Sequence, residues 1–543
     1  MNPIEPPVLE IRDLTVDFLS EGHPVRAVDG IGFSVRRGET LCILGESGSG
    51  KSVSASTVLD ILDRPPADIV SGTVLLDGRD LATLKDTERR ALNGAKVAMI
   101  FQDPLVHLNP VYTVGWQIAE VFRAHDICDA GEARTRTIEL LRRVGIPEPE
   151  ARVDRYPHEF SGGQRQRIMI AMAIALEPVL LIADEPTTAL DVSVQAQILD
   201  LLRDLQREFG MALVLITHDL EVASAMADRV IVMRRGRIVE EGAARDIFTD
   251  PKDAYTRQLM NALPASGTPR RRAPGDAPRE PLLEVRDLTK TYHLTRGFLK
   301  AATTTKAVDG VSFTLRRGET LGIVGESGSG KSSIARMLLR LNEPSSGKAL
   351  FRGQDIFAMD EPALLKLRRK VQMVFQDPYG SMNPRMSVHA IVSEPWRIHR
   401  DILPKAAWND RVCELLDLVG LKPEWATRYP HQFSGGQRQR IAIARALASD
   451  PEMIVCDEAV SALDVSVQAQ VIDLLADLRD RLALSYIFIT HDLPVVRNFA
   501  DRILVMQNGK VVEDNDTADL FAAPKAAYTQ ALLAATPHPK WAV

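Results

Sequence analysis

At 543 residues, with 45% apolar and 25% charged side chains, the chain has the make-up of an ordinary globular protein and enough length for two to four cores of roughly 100–200 residues. Its formal charge of −6, from 66 Lys plus Arg against 72 Asp plus Glu, leaves no basic excess to neutralise a phosphate backbone and argues against a nucleic-acid partner. Cys42, Cys128, Cys413 and Cys456 stand far apart with no Cys-x-x-Cys spacing, which argues against a disulfide framework, a zinc site or an iron–sulfur site and fits a reducing cytoplasm.

The chain opens Met1-Asn2-Pro3-Ile4-Glu5, without a basic or apolar leader, so no secretion signal is expected. The apolar run Thr40-Leu41-Cys42-Ile43-Leu44 reads as a buried strand with Cys42 as a small core residue. It leads into Gly45-Glu46-Ser47-Gly48-Ser49-Gly50-Lys51-Ser52, followed by a helical pattern, which is the context of a phosphate-binding loop. Glycines let backbone N–H groups converge on phosphates, and a helix N-terminus adds a favourable dipole. Lys51 then reaches the β- and γ-phosphates, and Ser52 ligates Mg²⁺.

Gln117 to Val144 carries charges at helical spacing and reads as a helical insert, and the run after Gly163 has helical length. The longest apolar stretch, Ile168 to Leu176, falls well short of the roughly 20 residues that cross a bilayer. Val179 to Ala183 and Leu213 to Ile216 read as buried strands, the first ending in Asp184-Glu185. Beside a phosphate loop, the first carboxylate belongs near Mg²⁺ and the second polarises the attacking water. Alone, the pair would be an unremarkable exposed strand end.

Residues 265–281, ASGTPRRRAPGDAPREP, hold four prolines and no apolar periodicity, and read as a semi-extended linker in which Arg270-Arg271-Arg272 is a solvated segment. Beyond it the sequence repeats. Gly325, Ser327, Gly328, Gly330, Lys331 and Ser332 reproduce the loop, offset by 280 residues at the lysines, while Gln376 follows Gln102 by 274. Ile454-Val455-Cys456-Asp457-Glu458 repeats the strand with its carboxylates, and Glu394 to Val419 repeats the helical pattern. Each half alternates strands and helices, which predicts an α/β fold with a mainly parallel central sheet.

Between loop and carboxylates lie Ser161-Gly162-Gly163-Gln164 and Ser434-Gly435-Gly436-Gln437, and with these the chain resembles the ABC ATPases. The resemblance implies two tandem P-loop NTPase domains, 1–264 and 282–543, each with a mainly parallel core sheet, an antiparallel β region and a helical subdomain. It also implies an intramolecular dimer, in which Ser434 to Gln437 complete the first phosphate loop and Ser161 to Gln164 the second. Phe18 and Tyr292 resemble the aromatic that stacks on adenine, with core packing the alternative for Phe18. Gln102 and Gln376 resemble the glutamine that senses Mg²⁺ and nucleotide and faces membrane subunits. Ala189-Leu190-Asp191 and Ala462-Leu463-Asp464 resemble the loop communicating between sites, and His218 and His491 the histidine that contacts the γ-phosphate.

Finer features resemble the dipeptide and oligopeptide importer ATPases: Phe-Gln-Asp-Pro followed by Leu108-Asn109-Pro110 or Met382-Asn383-Pro384, Tyr156 to His158 and Tyr429 to His431 before each signature, and the endings at Tyr255-Thr256 and Tyr528-Thr529. That subgroup usually has His-Pro before the Tyr-Thr; here stand Asp253-Ala254 and Ala526-Ala527, and the cysteine cluster of some members is missing. Asp63 to Ile69 lengthens the first half as in one of two partner ATPases, so the chain looks like both partners fused. The resemblance implies ATP and Mg²⁺ as cofactors, two transmembrane permeases and a periplasmic or lipid-anchored solute-binding protein as partners, and a peripheral place at the cytoplasmic face of the inner membrane. Di- or oligopeptides lead as cargo, with nickel or a glutathione-like solute as alternatives. A ribosome-acting twin-cassette protein is the other class, disfavoured by the short proline-rich linker and the acidic balance.

Overall fold

The computed structural model describes residues 6–20, 23–188, 190–261, 280–294, 303–461 and 463–537. Met1 to Glu5, Ala189, Ala462 and residues 265–279 of the predicted linker lie outside them. The chain folds as two compact units, divided after Asn261.

In the first unit, β1 (Leu9–Ser20) pairs antiparallel with β2 (His23–Val35) and β4 (Ala67–Leu76), and β5 (Arg79–Asp80) extends β4. Along β2 the buried residues Ile31, Phe33 and Val35 alternate with exposed ones, the pattern of a sheet with one face on a core. The second sheet runs β10-β9-β3-β8-β7-β6, from β3 (Thr40–Leu44), β6 (Val97–Ile100), β7 (Leu180–Asp184), β8 (Ala212–Thr217), β9 (Arg229–Arg234) and β10 (Arg237–Ala243). Only the β9–β10 pair is antiparallel. Every residue of β3, β7 and β8 is buried, as continuous apolar runs with both faces covered must be. One core lies where Ile11, Val28 and Phe33 of the antiparallel sheet meet Leu41, Ile182 and Ile231 of the parallel one and Val58 of the helix Lys51–Leu59.

The second unit repeats both sheets. The antiparallel order is β12-β11-β14-β15, from β11 (Pro281–Leu294), β12 (Thr303–Arg316), β14 (Ser346–Phe351) and β15 (Gln354–Asp355). The other is β16-β17-β18-β13-β19-β20, from β13 (Thr320–Val324), β16 (Val371–Val374), β17 (Met453–Asp457), β18 (Ser485–Thr490), β19 (Arg502–Gln507) and β20 (Lys510–Asp516). Cys42 and Cys456 are buried in β3 and β17; burial pushes the Cys456 thiol up to about 12 and raises Cys42 further, so both are inert packing residues.

Both helical inserts contain helices separated by a short connection. Residues of the first form two helices, Val114–Ala124 and Ala130–Arg143, with Asp129 capping the second through the amides of Gly131 and Glu132. In the second unit the helical pattern over Glu394 to Val419 likewise gives two helices, Glu394–Ile398 and Trp408–Leu418. Pro395 is tolerated in the first turn of its helix, which ends at Ile398, and Trp396 packs against Trp408 across the connection.

The helix Gly162–Ala173 starts with Ser161 as its N-cap, Ser161 and Gln164 bonding each other's amides in a capping box. Its second glycine is required by a close approach. A Cβ on Gly163 would lie 2.4 Å from Val194 Cγ1, and one on Gly436 2.2 Å from Val467 Cγ1. Gly163→Ala should therefore destabilise the first unit by about 1–3 kcal/mol through over-packing, and Val194→Ala, which removes the clashing methyl, should recover most of that loss. Calorimetry of the single and double variants checks this; an unchanged melting temperature in Gly163→Ala would contradict it.

Candidate functional site

In each unit a buried strand delivers the chain into a loop folded around its own lysine. After β3 the backbone turns through Gly45, Ser47, Gly48 and Gly50 and enters the helix Lys51–Leu59. Gly45 and Gly50 have φ of 155° and 99°, and a Cβ at either would lie 2.3 Å from the Met233 carbonyl or 2.5 Å from that of Ala27. No side chain caps the helix start, and such an N-terminus favours an anion. Lys51 is buried, its Nζ donating to the carbonyls of Gly45 (2.7 Å) and Glu46 (3.0 Å). Lys331 does the same to Gly325 (2.6 Å) and Glu326 (2.9 Å).

Beside each loop a strand ends in two carboxylates that face different surroundings. Asp184 closes β7 and keeps Oδ1 buried without a hydrogen-bond partner. Burial raises its carboxyl, aided by the charge of Glu185 and opposed by Ser52 and Lys51. Asp457 accepts from Ser332 Oγ at 2.9 Å and is raised by the same cause.

The next residue turns sharply. Glu185 has φ 46° and Glu458 φ 48°, and their N–H groups donate to the Ile216 and Ile489 carbonyls at 2.8 and 2.9 Å. Glu185 Oε2 accepts from Gln102 Nε2 at 2.7 Å and from Thr188 Oγ1 at 3.0 Å, while Oε1 lies 3.0 Å from His218 Nδ1. Burial pulls its carboxyl up, but His218, Thr188 and Lys51 outweigh that and hold it below the ordinary value. Glu458 accepts from Gln376 Nε2 at 2.8 Å and lies 3.6 Å from His491 Nδ1. The arrangement is thus an anion-binding loop, a carboxylate–hydroxyl pair, and an ionised carboxylate held ready to accept a proton.

A family model described as ABC transporter matches residues 28–188 and 308–461. The chain belongs to the ABC transporter family. A second model, described as oligopeptide/dipeptide transporter, C-terminal region, matches residues 239–290 and 512–542. The chain is 49% identical over 530 residues, 97% of its length and 96% of the relative's, to the peptidoglycan transport ATP-binding protein YejF of Agrobacterium fabrum. It is 46% identical over 558 residues, 98% and 89% of the two lengths, to the glutathione import ATP-binding protein GsiA of Salmonella choleraesuis. In a solved complex of archaeal ribosomal stalk protein aP1 with archaeal ribosome recycling factor aABCE1, one chain superposes with TM-score 0.62 at 20% identity, covering 94% of this chain and 92% of that one, a likeness of fold alone.

As an ABC protein with two fused cassettes, the chain binds ATP and is an ATPase. Its signature residues form a second group in each cassette. Ser161, Gly163 and Gln164 open the helix Gly162–Ala173, as Ser434, Gly436 and Gln437 open Gly435–Leu447. Both packs lie on the helices that begin after Asp191 and Asp464, which stand at the N-cap positions of Val192–Phe209 and Val465–Leu482. Phe18 is half-buried against the core of the first cassette. Tyr292 stays exposed, its hydroxyl accepting from Asn342 Nδ2 at 3.2 Å. Among the described residues no helix is long and apolar enough to cross a membrane, and no cluster of three or more His, Cys, Asp or Glu could hold a metal.

Sequence reasoning missed Thr188. Its signal was a hydroxyl three residues past a carboxylate in a tight turn, where side chain and carboxylate meet. Its counterpart Ser461 bonds the Glu458 backbone carbonyl instead, at 2.9 Å, so the two glutamates are not held alike.

The second glutamate–histidine pair has a readable charge state. The His491 ring is the largest influence holding Glu458 below its ordinary 4.5, against burial. Burial would lower His491, but Glu458 and Asp492 outweigh it and raise the ring above its ordinary 6.5. The histidine's contribution to stability is whole below 6.5 and fades as pH rises through its raised value; the glutamate's is whole above 4.5 and fades as pH falls through its lowered value. The pair is fully formed between those limits. In Glu458→Gln, ¹³C-labelled His491 should titrate at lower pH than in the wild type; an unchanged or higher midpoint would contradict the pairing.

Proposed function

We propose that the chain energises a binding-protein-dependent importer of di- or oligopeptides, with cassettes at 1–264 and 282–543 joined by residues 265–281 and paired as an intramolecular dimer. The observation that carries the reading is the duplicated cluster: loop lysine, strand-end Asp-Glu, glutamine and histidine stand together in both units, so both ATP sites are built to turn over. Match of the C-terminal segments to the oligopeptide/dipeptide transporter region supports the cargo class. The relatives' names speak of peptidoglycan and glutathione, both peptide-containing, which supports it further.

In this mechanism Lys51 and Lys331 leave their loop carbonyls to bind the β- and γ-phosphates, and Glu185 and Glu458 accept the proton of the attacking water. His218 and His491 steady those carboxylates and meet the γ-phosphate. Gln102 and Gln376, bonded to the glutamates, would be among the residues that hold the metal and face the permeases.

The residues fit Mg²⁺. Ser52, Asp184 and Gln102, and Ser332, Asp457 and Gln376, are hard oxygen donors, and Asp184 Oδ1 is a buried acceptor lacking a partner. Each set is too small for a full shell, as expected where phosphate and water complete it. When bound, the ion neutralises charge developing on the transferred phosphoryl group. Partners are two transmembrane permeases and a periplasmic or lipid-anchored solute-binding protein, which place the chain at the cytoplasmic face of the inner membrane.

The test is uptake of labelled di- to oligopeptides, with glutathione as competitor, in a strain lacking the chain and in the same strain after its restoration. Uptake lost and then regained supports the cargo class; unchanged uptake removes it and leaves the ATPase standing.

A further inference from the structure

The tyrosine of each C-terminal Tyr-Thr segment reaches the phosphate loop of its own unit, and neither the mechanism above nor the family match gives it a task. Tyr255, at the start of the helix Ala254–Asn261, is buried, with the Arg234 guanidinium 4.6 Å above its ring. The Glu46 amide donates to its hydroxyl at 3.4 Å. In the second unit the Glu326 amide donates to the hydroxyl of Tyr528 at 3.2 Å.

The amide that each hydroxyl meets is significant for what lies at the other end of the same peptide group. The Gly45–Glu46 peptide offers its N–H to Tyr255 and its carbonyl to Lys51 Nζ at 2.7 Å. The Gly325–Glu326 peptide is held likewise between Tyr528 and Lys331 Nζ, at 2.6 Å. A peptide plane gripped at both ends has its orientation fixed, and each bond polarises the group toward the other. The loop must also keep its form when the lysine moves to a phosphate, and the tyrosine can hold the peptide then.

Both segments are tied down by the same device and reached by different local chemistry. Glu240 accepts the amides of Lys252 (2.8 Å) and Asp253 (3.0 Å), and Glu513 those of Lys525 (3.0 Å) and Ala526 (2.9 Å). In the first unit Asp253 Oδ1 also caps the Tyr255 amide at 2.8 Å; the second unit has Ala526 there. Different flanking residues deliver one hydroxyl to one peptide.

We propose that Tyr255 and Tyr528 are positioning residues of the two ATP sites, which act through the peptide after the first loop glycine to hold the phosphate loop in its binding form. The proposal rests on the reading of that loop as the ATP site. Losing the hydroxyl leaves a loop N–H without this partner, and so weakens nucleotide binding while the reacting groups are untouched.

The experiment uses the full chain with Tyr255→Phe, Tyr528→Phe and both together, measuring the ATP dissociation constant, KM, kcat and Tm. Phe keeps the ring and its packing, so a tyrosine that acts by packing alone predicts no change in any of them. The double variant is expected to bind ATP roughly three- to tenfold more weakly, with KM rising in step, kcat within about twofold and Tm near wild type. Wild-type affinity and KM would overturn the proposal, as would kcat falling with Tm at constant KM. If the double variant does not fold, the single variants decide, each predicted to leave one class of sites at wild-type affinity and one weakened. Lys51→Ala with Lys331→Ala is the separate check on the loop: ATP binding retained there would remove the underlying reading, whatever the tyrosines do.

Discussion

Each cassette depends on one backbone turn. At the end of β7 and of β17 the chain passes from a fully buried strand into a left-handed residue, and that residue is a glutamate in both. A left-handed non-glycine conformation costs of order 1–3 kcal/mol and persists only where its surroundings hold it. Here the hold is visible: the glutamate N–H is bonded to the neighbouring strand, and glutamine and histidine stand at its carboxylate. Because the aspartate before it still belongs to the strand, adjacent carboxylates point into different environments, one raised by burial and one lowered by its neighbours. In the proposed mechanism, this division between consecutive residues lets one turn serve both metal and water.

The other elements fall into place around that turn. Parallel strands β3 and β8 bring the phosphate loop and the histidine to the same edge as the carboxylates, and β6 brings the glutamine, since Gln102 follows it closely. The sheet order places four loops from distant parts of the sequence at one end, where α/β sheets hold their ligands. Repetition of the order in the second unit reproduces the cluster, though not in every detail. Thr188 supports Glu185 with its side chain, and Ser461 turns to the backbone instead.

Much of this was legible in the sequence because the residues carry their chemistry in short motifs. A buried strand, glycine loop and helix can be read from Thr40 to Ser52, and an apolar run ending in Asp-Glu can only present its carboxylates at a strand end. What was not legible depended on contacts between distant segments. Nothing local to Tyr255 tells that its hydroxyl meets the amide of Glu46, or that Thr188 faces a carboxylate rather than solvent. The helical inserts were legible from charges at helical spacing, but the break inside each, over residues 125–129 and 399–407, carried no comparable signal. Phe18 had two readings from sequence, adenine stacking and core packing, and its half-buried position on the core is compatible with the second while leaving part of the ring exposed.

The most direct test of the account is steady-state ATP hydrolysis, with ATP binding measured in parallel, by Glu185→Gln and Glu458→Gln made singly. Glutamine keeps the size and the hydrogen-bonding reach of the side chain but cannot take a proton from water, so each variant should bind ATP as the wild type does and turn it over far more slowly. Wild-type turnover in both would contradict the claim that these two strand-end glutamates are the bases.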